Sequence, residues 1–157
     1  MSSVLLTMSR MSTNPIPEGY ATVTPYLVVA DALATFAFLV RAFDAREIRR
    51  SPLSDGTVFN IEARIGNSMV MVVQGRPDHE IRPMSFYLYV PAVDAVYEKA
   101  LQAGAVSVLE PADQFYGDRC AGVQDPAGNT WWIASRLENL TSAEIGQRIR
   151  NLTAPSF

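Results

Sequence analysis

The chain is poor in the two residues that most often build disulfides and transition-metal sites. Its 157 residues include one cysteine, Cys120, and one histidine, His79. A single thiol excludes a disulfide within the chain and fits a reducing compartment, so we expect the protein in the cytoplasm. His79 has no second imidazole with which to share a metal ion, and its polar surroundings, GRPDHEIRP, predict a solvated loop residue.

Long apolar runs and an excess of positive charge are also missing. Charges, glycine or proline interrupt every apolar segment before it reaches the ~18–20 residues of a membrane span. The chain has 13 basic and 16 acidic side chains and a net charge of −3, whereas nucleic-acid-binding proteins usually carry a basic patch. The sequence therefore predicts neither a membrane nor a nucleic acid as partner. A small organic molecule or another protein is expected instead.

The first 16 residues have the Ser, Thr, Asn and Pro content of a flexible lead-in. No basic residue precedes the short apolar run at 4–6, so an export signal is not predicted, and Met1, Met8 and Met11 are alternative translation starts. The remainder, residues 17–152, suits one domain, because a chain with 48% hydrophobic residues can bury most of its apolar surface in one core.

Within this domain the same order of elements is predicted twice, which indicates an α+β fold of two βαβββ modules at about 21–75 and 84–136. Asp31 resembles a helix N-cap, and Leu33, Phe36 and Leu39 follow it at helical spacing. The predicted strands lie at 23–29, 45–50, 57–65, 68–74, 84–90, 105–109, 115–124 and 129–135, and the helices at 32–43, 92–103 and about 141–151. An α+β sheet without internal symmetry is the alternative.

Three segments carry a resemblance to a known family. TPYLVVADA at 24–32, QFYGDR at 114–119 and DPAGNTWWIAS at 125–135 resemble the vicinal oxygen chelate superfamily. It includes glyoxalase I, bleomycin resistance proteins and extradiol dioxygenases. More narrowly, the chain resembles small, single-domain PhnB-like members. The resemblance implies a cup-shaped mixed sheet with helices on its outer face, and a homodimer with a ligand cavity in each cup.

Enzymes of this superfamily hold a divalent metal ion with His, Gln or Glu side chains from four strands. The resemblance assigns those positions to weak donors, namely Thr24, Met71 or Val72, Ser85 and Trp132. Hard or borderline divalent ions need carboxylate, imidazole or thiolate ligands. We therefore expect no metal site and no cofactor, and a divalent metal only if the strand register differs from the one assumed.

Histidines that occur in PhnB-like relatives are replaced here by Asn60 and Asn129, and only Glu62 remains of that group. Glu62 is a weak candidate for a catalytic base. The alternative to a catalytic role is that its carboxylate forms an ion pair with Arg64 or Arg119.

Residues two apart on a strand share a face, and the strand register implied by the resemblance decides which face is expected to line the cup. The predicted ligand-binding residues are Tyr26, Asn60, Glu62, Tyr87, Tyr89, Tyr116, Arg119 and Trp132. Arg119 could bind a carboxylate or phosphate through two hydrogen bonds. The adjacent Asp118 is expected to brace a neighbouring element, and Cys120 to behave as a small apolar residue. The alternative is that the aromatic side chains fill a closed core.

Three functions remain open at this point. The first is a metal-free protein that binds an aromatic or amphipathic small molecule. The second is a lyase, isomerase or dioxygenase with a metal site, or an isomerase with Glu62 as its base. The third is a protein-interaction module whose cup is filled. The missing metal ligands favour the first.

Overall fold

The computed structural model of the protein describes residues 13–153, so most of the predicted lead-in and the three alternative start methionines lie outside the described residues. It contains eight strands and three helices within that range. The elements of the first module are β1 Tyr26–Val29, α1 Ala32–Phe43, β2 Arg46–Pro52, β3 Val58–Ile65 and β4 Ser68–Gln74. Those of the second are β5 Ser85–Tyr89, α2 Val93–Gln102, β6 Val106–Asp113, β7 Asp118–Gln124 and β8 Thr130–Arg136, followed by α3 Ser142–Thr153.

The two modules have the same topology, which confirms the predicted α+β fold. Each sheet has four strands, in the orders β1-β4-β3-β2 and β5-β8-β7-β6. In both sheets the first strand is parallel to the last and the other pairs are antiparallel. Among the described residues no hydrogen-bonded ladder joins the two sheets, so the outer strands, β1 and β2 in one sheet and β5 and β6 in the other, each leave one edge unpaired.

Helix α1 begins and ends where local chemistry dictates. The Asp31 side chain accepts a hydrogen bond from the Ala34 amide at 2.9 Å, which satisfies one of the free donors of the first turn. Asp44 follows the helix in the left-handed region, with φ 54°. The buried side of the helix carries Phe38, Leu39 and Phe43. The predicted bounds of α1 are confirmed.

One hydrophobic core contains residues of both modules, because α1 and α2 pack against each other as well as on their own sheets. The Phe43 ring of α1 lies 4.8 Å from the Trp131 ring of β8, and Phe86 of β5 stacks on Trp131 at 4.3 Å. The opposite face of each sheet, turned away from its helix, is called the cup face below.

The turn between β7 and β8 is a rigid structural unit. The buried Asp125 carboxylate accepts hydrogen bonds at 2.9 Å from the amides of Ala127 and Asn129 and from the Trp131 indole. The Asn129 side chain in turn accepts one from the Met84 amide at 3.0 Å. These bonds connect the turn to the start of β5, so Asn129 serves the fold.

The C-terminal helix starts with a capping box. The Thr141 hydroxyl accepts from the Glu144 amide at 3.3 Å, and the Glu144 carboxylate accepts from the Thr141 amide at 2.7 Å. None of the helices in residues 13–153 combines the length and apolarity that crossing a membrane requires.

Candidate functional site

The cup face of the second module presents two tyrosine rings over a buried carboxylate. Tyr87 and Tyr89, both on β5, donate hydrogen bonds to Asp118 Oδ2 at 3.1 and 3.2 Å. Arg136 of β8 donates through Nε to the other oxygen, Oδ1. Asp118 is 2% exposed, whereas Tyr87 and Tyr89 are 45% and 58% exposed. The carboxylate therefore fixes the orientation of two rings whose surfaces remain open to solvent.

Tyr116 and Cys120 extend this cluster. The hydroxyl oxygens of Tyr116 and Tyr87 lie 3.4 Å apart, and the Cys120 thiol is buried beside them. Burial, together with hydrogen bonds to Tyr116 and Cys120, raises the pKa of Tyr87 well above its ordinary value of 10.0. Burial also raises the pKa of Tyr116. Both phenols are therefore protonated at neutral pH and able to donate a hydrogen bond.

Trp132 completes the aromatic surface of this face. Its indole Nε1 donates to the Ser85 hydroxyl at 3.2 Å. The ring lies directly against Gly122 of β7, where an added Cβ would come within 2.7 Å of it. Gly122 is thus required for the close approach of the indole to the sheet. This role of Gly122 was not predicted from the sequence, although a glycine inside a predicted strand is a signal for such an approach.

On the cup face of the first module, Glu62 is committed to an ion pair. Its carboxylate is 5% exposed and accepts hydrogen bonds from Arg49 Nε at 2.9 Å and from the Tyr20 hydroxyl. Burial alone would raise the pKa of Glu62, but the bonds from Tyr20 and Arg49 and the charge of Arg49 lower it. Burial and the bond to Glu62 raise the pKa of Tyr20 to about 12.

The predicted pairing of Glu62 with Arg64 or Arg119 is wrong, because a register shift between Glu47 and Arg49 on β2 places Arg49 opposite Glu62. A carboxylate held by a guanidinium and a phenol, with a lowered pKa, is a poor proton acceptor at neutral pH.

The segment before β1 crosses this same cup face. Tyr20 reaches Glu62, and Gly19 lies so close to the Arg64 guanidinium that a Cβ on Gly19 would approach it to 2.4 Å. Tyr26 of β1 shares a hydrogen bond of 3.2 Å with His79 Nε2. His79 is half-buried, in contrast to the predicted solvated loop residue. The first cup face is therefore partly covered.

Asn60 lies on the first cup face, but its surroundings differ from those of the tyrosine cluster. Its side-chain oxygen is buried and has no hydrogen-bond partner among the described residues. Asn60, Glu62 and Tyr26 lie on the first sheet, whereas Tyr87, Tyr89 and Trp132 lie on the second and Tyr116 precedes β7. Among the described residues no hydrogen bond or ring contact joins the two groups.

Arg119 lies away from both cup faces. It donates to Asp94 of α2 through Nε and Nη2, both at 2.7 Å, and to Asp113 through Nη1 at 2.8 Å. These partners place it on the helix side of its sheet. Because adjacent strand residues point to opposite faces, it is Asp118 that joins the cup-face cluster.

A cleft of about 670 Å³ lies between the modules. It is called the inter-module cleft below. Its walls come from the end of α1, the start of β2, the β3–β4 turn and β5. Arg46 and Arg64 line one side, and Tyr87 and Tyr89 the other. The cleft is thus continuous with the exposed rings of the tyrosine cluster.

The residues present do not fit the divalent metal of the related enzymes. Within residues 13–153 there is no group of three or more His, Cys, Asp or Glu side chains arranged to hold a metal ion. At the expected positions, Trp132 offers an N–H donor, which cannot ligate a metal, and it is directed at the Ser85 hydroxyl.

Comparisons with known proteins agree with this fold. An uncharacterized protein of Mycobacterium bovis, Mb0911c, is 35% identical over 133 residues, which are 78% of this chain and 88% of that protein. The crystal structure of TioX from Micromonospora sp. ML1 is similar, with a TM-score of 0.65 and 26% identity over 74% of this chain and 99% of TioX.

A second similar structure is that of a glyoxalase/bleomycin resistance protein/dioxygenase family enzyme from Burkholderia phytofirmans PsJN. Its TM-score is 0.61 at 22% identity, over 71% of this chain and 95% of that one, a likeness of fold alone. The family model of the superfamily matches residues 20–133, which is most of the chain. The chain therefore belongs to the glyoxalase/bleomycin resistance protein/dioxygenase superfamily.

Proposed function

We propose that the protein is a PhnB-like, metal-free binding protein of the cytoplasm that takes an aromatic or amphipathic small molecule on the second cup face. The observation that carries the proposal is the pair Tyr87 and Tyr89. Their hydroxyls are held by the buried Asp118 carboxylate while their rings remain about half exposed. Rings already fixed in orientation lose little conformational entropy when a ligand stacks on them.

Binding rather than catalysis is supported by the state of the carboxylates. Glu62 is paired with Arg49, and Asp118 is paired with Arg136 and accepts from two phenols. Neither is a free base directed at the open surface. The aromatic surface formed by Tyr87, Tyr89 and Trp132, in contrast, is accessible and has the mixed apolar and hydrogen-bonding character of ligand pockets.

We also propose that the protein is a homodimer in which the open edges of β1 and β5 meet a second copy. The edges of β1 and β5 have no partner among the described residues, and an unpaired edge is a template for another strand. Tyr26 and Tyr87 stand on these edges and are exposed. Joining β1 of one copy to β5 of its partner would place the first cup face beside the second.

A ligand screen with a matched pair of variants tests the binding proposal. Thermal-shift measurements with a panel of flat aromatic compounds are expected to raise the melting temperature of the metal-free protein. Tyr89→Ala removes an exposed ring and should abolish the shift. Phe59→Ala, which removes a ring packed on Arg76 in the first module, should retain it. One equivalent of tightly bound divalent metal per chain, or equal shifts in both variants, would contradict the proposal.

A further inference from the structure

Two arginines face each other directly across strands β2 and β3. Arg46 and Arg64 are partners in the antiparallel register, so their side chains leave the same face of the sheet from adjacent positions. Like charges in directly opposed positions destabilise a strand pair. The arrangement therefore requires a negative charge nearby to be favourable.

The residues that the structure describes do not supply that charge. Neither Arg46 nor Arg64 has an ion pair or hydrogen bond to another described residue. The acidic side chains close to them in sequence already have other partners: Asp44 is bound by Lys99, Glu47 by Arg50 and Glu62 by Arg49. Residues 1–12 and 154–157 contain no Asp or Glu.

Both arginines line the inter-module cleft, which has room for a small molecule at about 670 Å³. Its other wall carries Tyr87 and Tyr89, the rings of the proposed binding surface. Asp44 is also in the lining, but Lys99 Nζ binds both of its oxygens at 2.7 and 2.8 Å. The cleft therefore combines two uncompensated positive charges with two aromatic rings.

We infer that the ligand is a flat aromatic acid, whose carboxylate binds Arg46 and Arg64 while its ring system packs on Tyr87 and Tyr89. Guanidinium groups bind carboxylates through paired, charge-assisted hydrogen bonds. This inference rests on the proposed binding function and adds to it the charge of the ligand and the residues that select it.

A pair of probes of the same shape tests the inference by isothermal titration calorimetry. 2-Naphthoate carries the carboxylate and 2-naphthamide is its neutral counterpart. The wild-type protein should bind 2-naphthoate at least about tenfold more tightly than 2-naphthamide, because charge-assisted hydrogen bonds are worth more than neutral ones. The advantage should decrease as sodium chloride is added.

Arg46→Gln and Arg64→Gln should each remove most of this preference. The control is Arg50→Gln, which removes the same charge from β2, the strand of Arg46. Because Arg50 is already paired with Glu47, this variant should keep the preference. Melting temperatures without ligand show whether each variant is folded; removing one of two repelling charges should not lower them.

The outcomes separate the two proposals. Equal affinities of wild-type protein for the acid and the amide would overturn the inference and leave aromatic binding intact. Loss of the preference in Arg50→Gln to the same extent as in Arg64→Gln would also overturn it. Failure of both probes to bind would contradict the binding function itself, and the inference with it.

Discussion

Asp118 is the residue on which the second cup face depends. Its carboxylate accepts from Tyr87, Tyr89 and Arg136, and it is almost completely buried. A buried carboxylate is tolerated only when hydrogen bonds and a counter-charge replace its water. Asp118 meets this requirement, and the same bonds determine where the two phenol rings lie.

Asp118→Asn tests this role. The amide keeps the size of the side chain but removes the charge opposite Arg136 and turns one acceptor into a donor. We expect the free energy of unfolding in urea to fall by about 1–3 kcal/mol. Asp113→Asn changes an exposed carboxylate that is also paired with an arginine, Arg119, and should cost much less. Similar losses in the two variants would contradict this role.

Glu62 makes the stability depend on pH. The Arg49 and Tyr20 bonds hold its pKa below the ordinary value of 4.5 in the folded protein. A lowered folded pKa contributes stability above the unfolded value, and that contribution is lost as the pH falls through the folded value. The wild type should therefore exceed Glu62→Gln in stability at neutral pH, with the difference shrinking below about pH 4.5.

Urea unfolding at a series of pH values measures this difference. Glu80→Gln, which removes an exposed carboxylate paired with Arg82, serves as the control and should change little at any pH. A gap between wild type and Glu62→Gln that stays constant down to about pH 3 would show that the pair contributes nothing through ionisation.

Single residues also mark the limit of what the sequence could predict. Strand alternation requires Asp118 and Arg119 to face opposite sides, but it does not say which faces the cup. That depends on where Asp94 of α2 and Asp113 of β6 lie. The partner of Glu62 likewise depends on the irregular register of β2, which no residue pattern reveals.

At the scale of elements, β7 and β8 form the floor under the aromatic surface, and Gly122 determines how closely Trp132 lies on it. Gly122→Ala would place a methyl group within 2.7 Å of the indole, so the ring must move away. We expect about 1–3 kcal/mol of destabilisation from this overpacking, measured by urea unfolding, and weaker binding of aromatic compounds.

Gly146→Ala is the matched substitution. This glycine lies inside α3, and an added Cβ would lie 3.5 Å from Arg150 Nη1, an ordinary van der Waals contact with the end of a flexible side chain. Alanine should therefore stabilise the helix, by up to about 1 kcal/mol. If Gly122→Ala proved as stable as the wild type, the close approach of Trp132 to β7 would not be a constraint on the fold.

The elements most accurately predicted are those with clear local signals. The capped, periodic α1 and the strand β4 have the predicted bounds. In contrast, β6 extends to Asp113 rather than ending at 109, because shifts in its register near Leu109 let it continue past Pro111. Such bulges are set by pairing with β7, and the sequence of β6 alone does not contain that information.

For the whole molecule, the open edges predict association. The purified protein should have twice the 17.2 kDa mass of one chain in light scattering after size-exclusion chromatography. Val28→Lys adds a charge to edge strand β1 and should shift the protein to a single chain. Val23→Lys, at an exposed position before β1, should remain dimeric. A wild-type protein of single-chain mass at all concentrations would exclude this dimer.

The repeat of two modules could be predicted from element order, but their relation in space could not. The sequence does not state that Tyr20, before the first strand, reaches Glu62, or that the β3–β4 turn lies near β5 to form the inter-module cleft. These contacts join distant parts of the chain. They depend on how α1 and α2 pack together, which local patterns do not specify.

The two tryptophans are neighbours in sequence but occupy different environments. Trp131 is buried in the shared core with its indole bonded to Asp125, whereas Trp132 is half-buried on the cup face with its indole bonded to Ser85. The intrinsic fluorescence of the protein therefore comes from one buried tryptophan, Trp131, and one partly exposed tryptophan, Trp132. Acrylamide should selectively quench the fluorescence of Trp132, and a ligand bound to the cup face should reduce that quenching. Ligand binding to the unlabelled protein could then be measured from its tryptophan fluorescence.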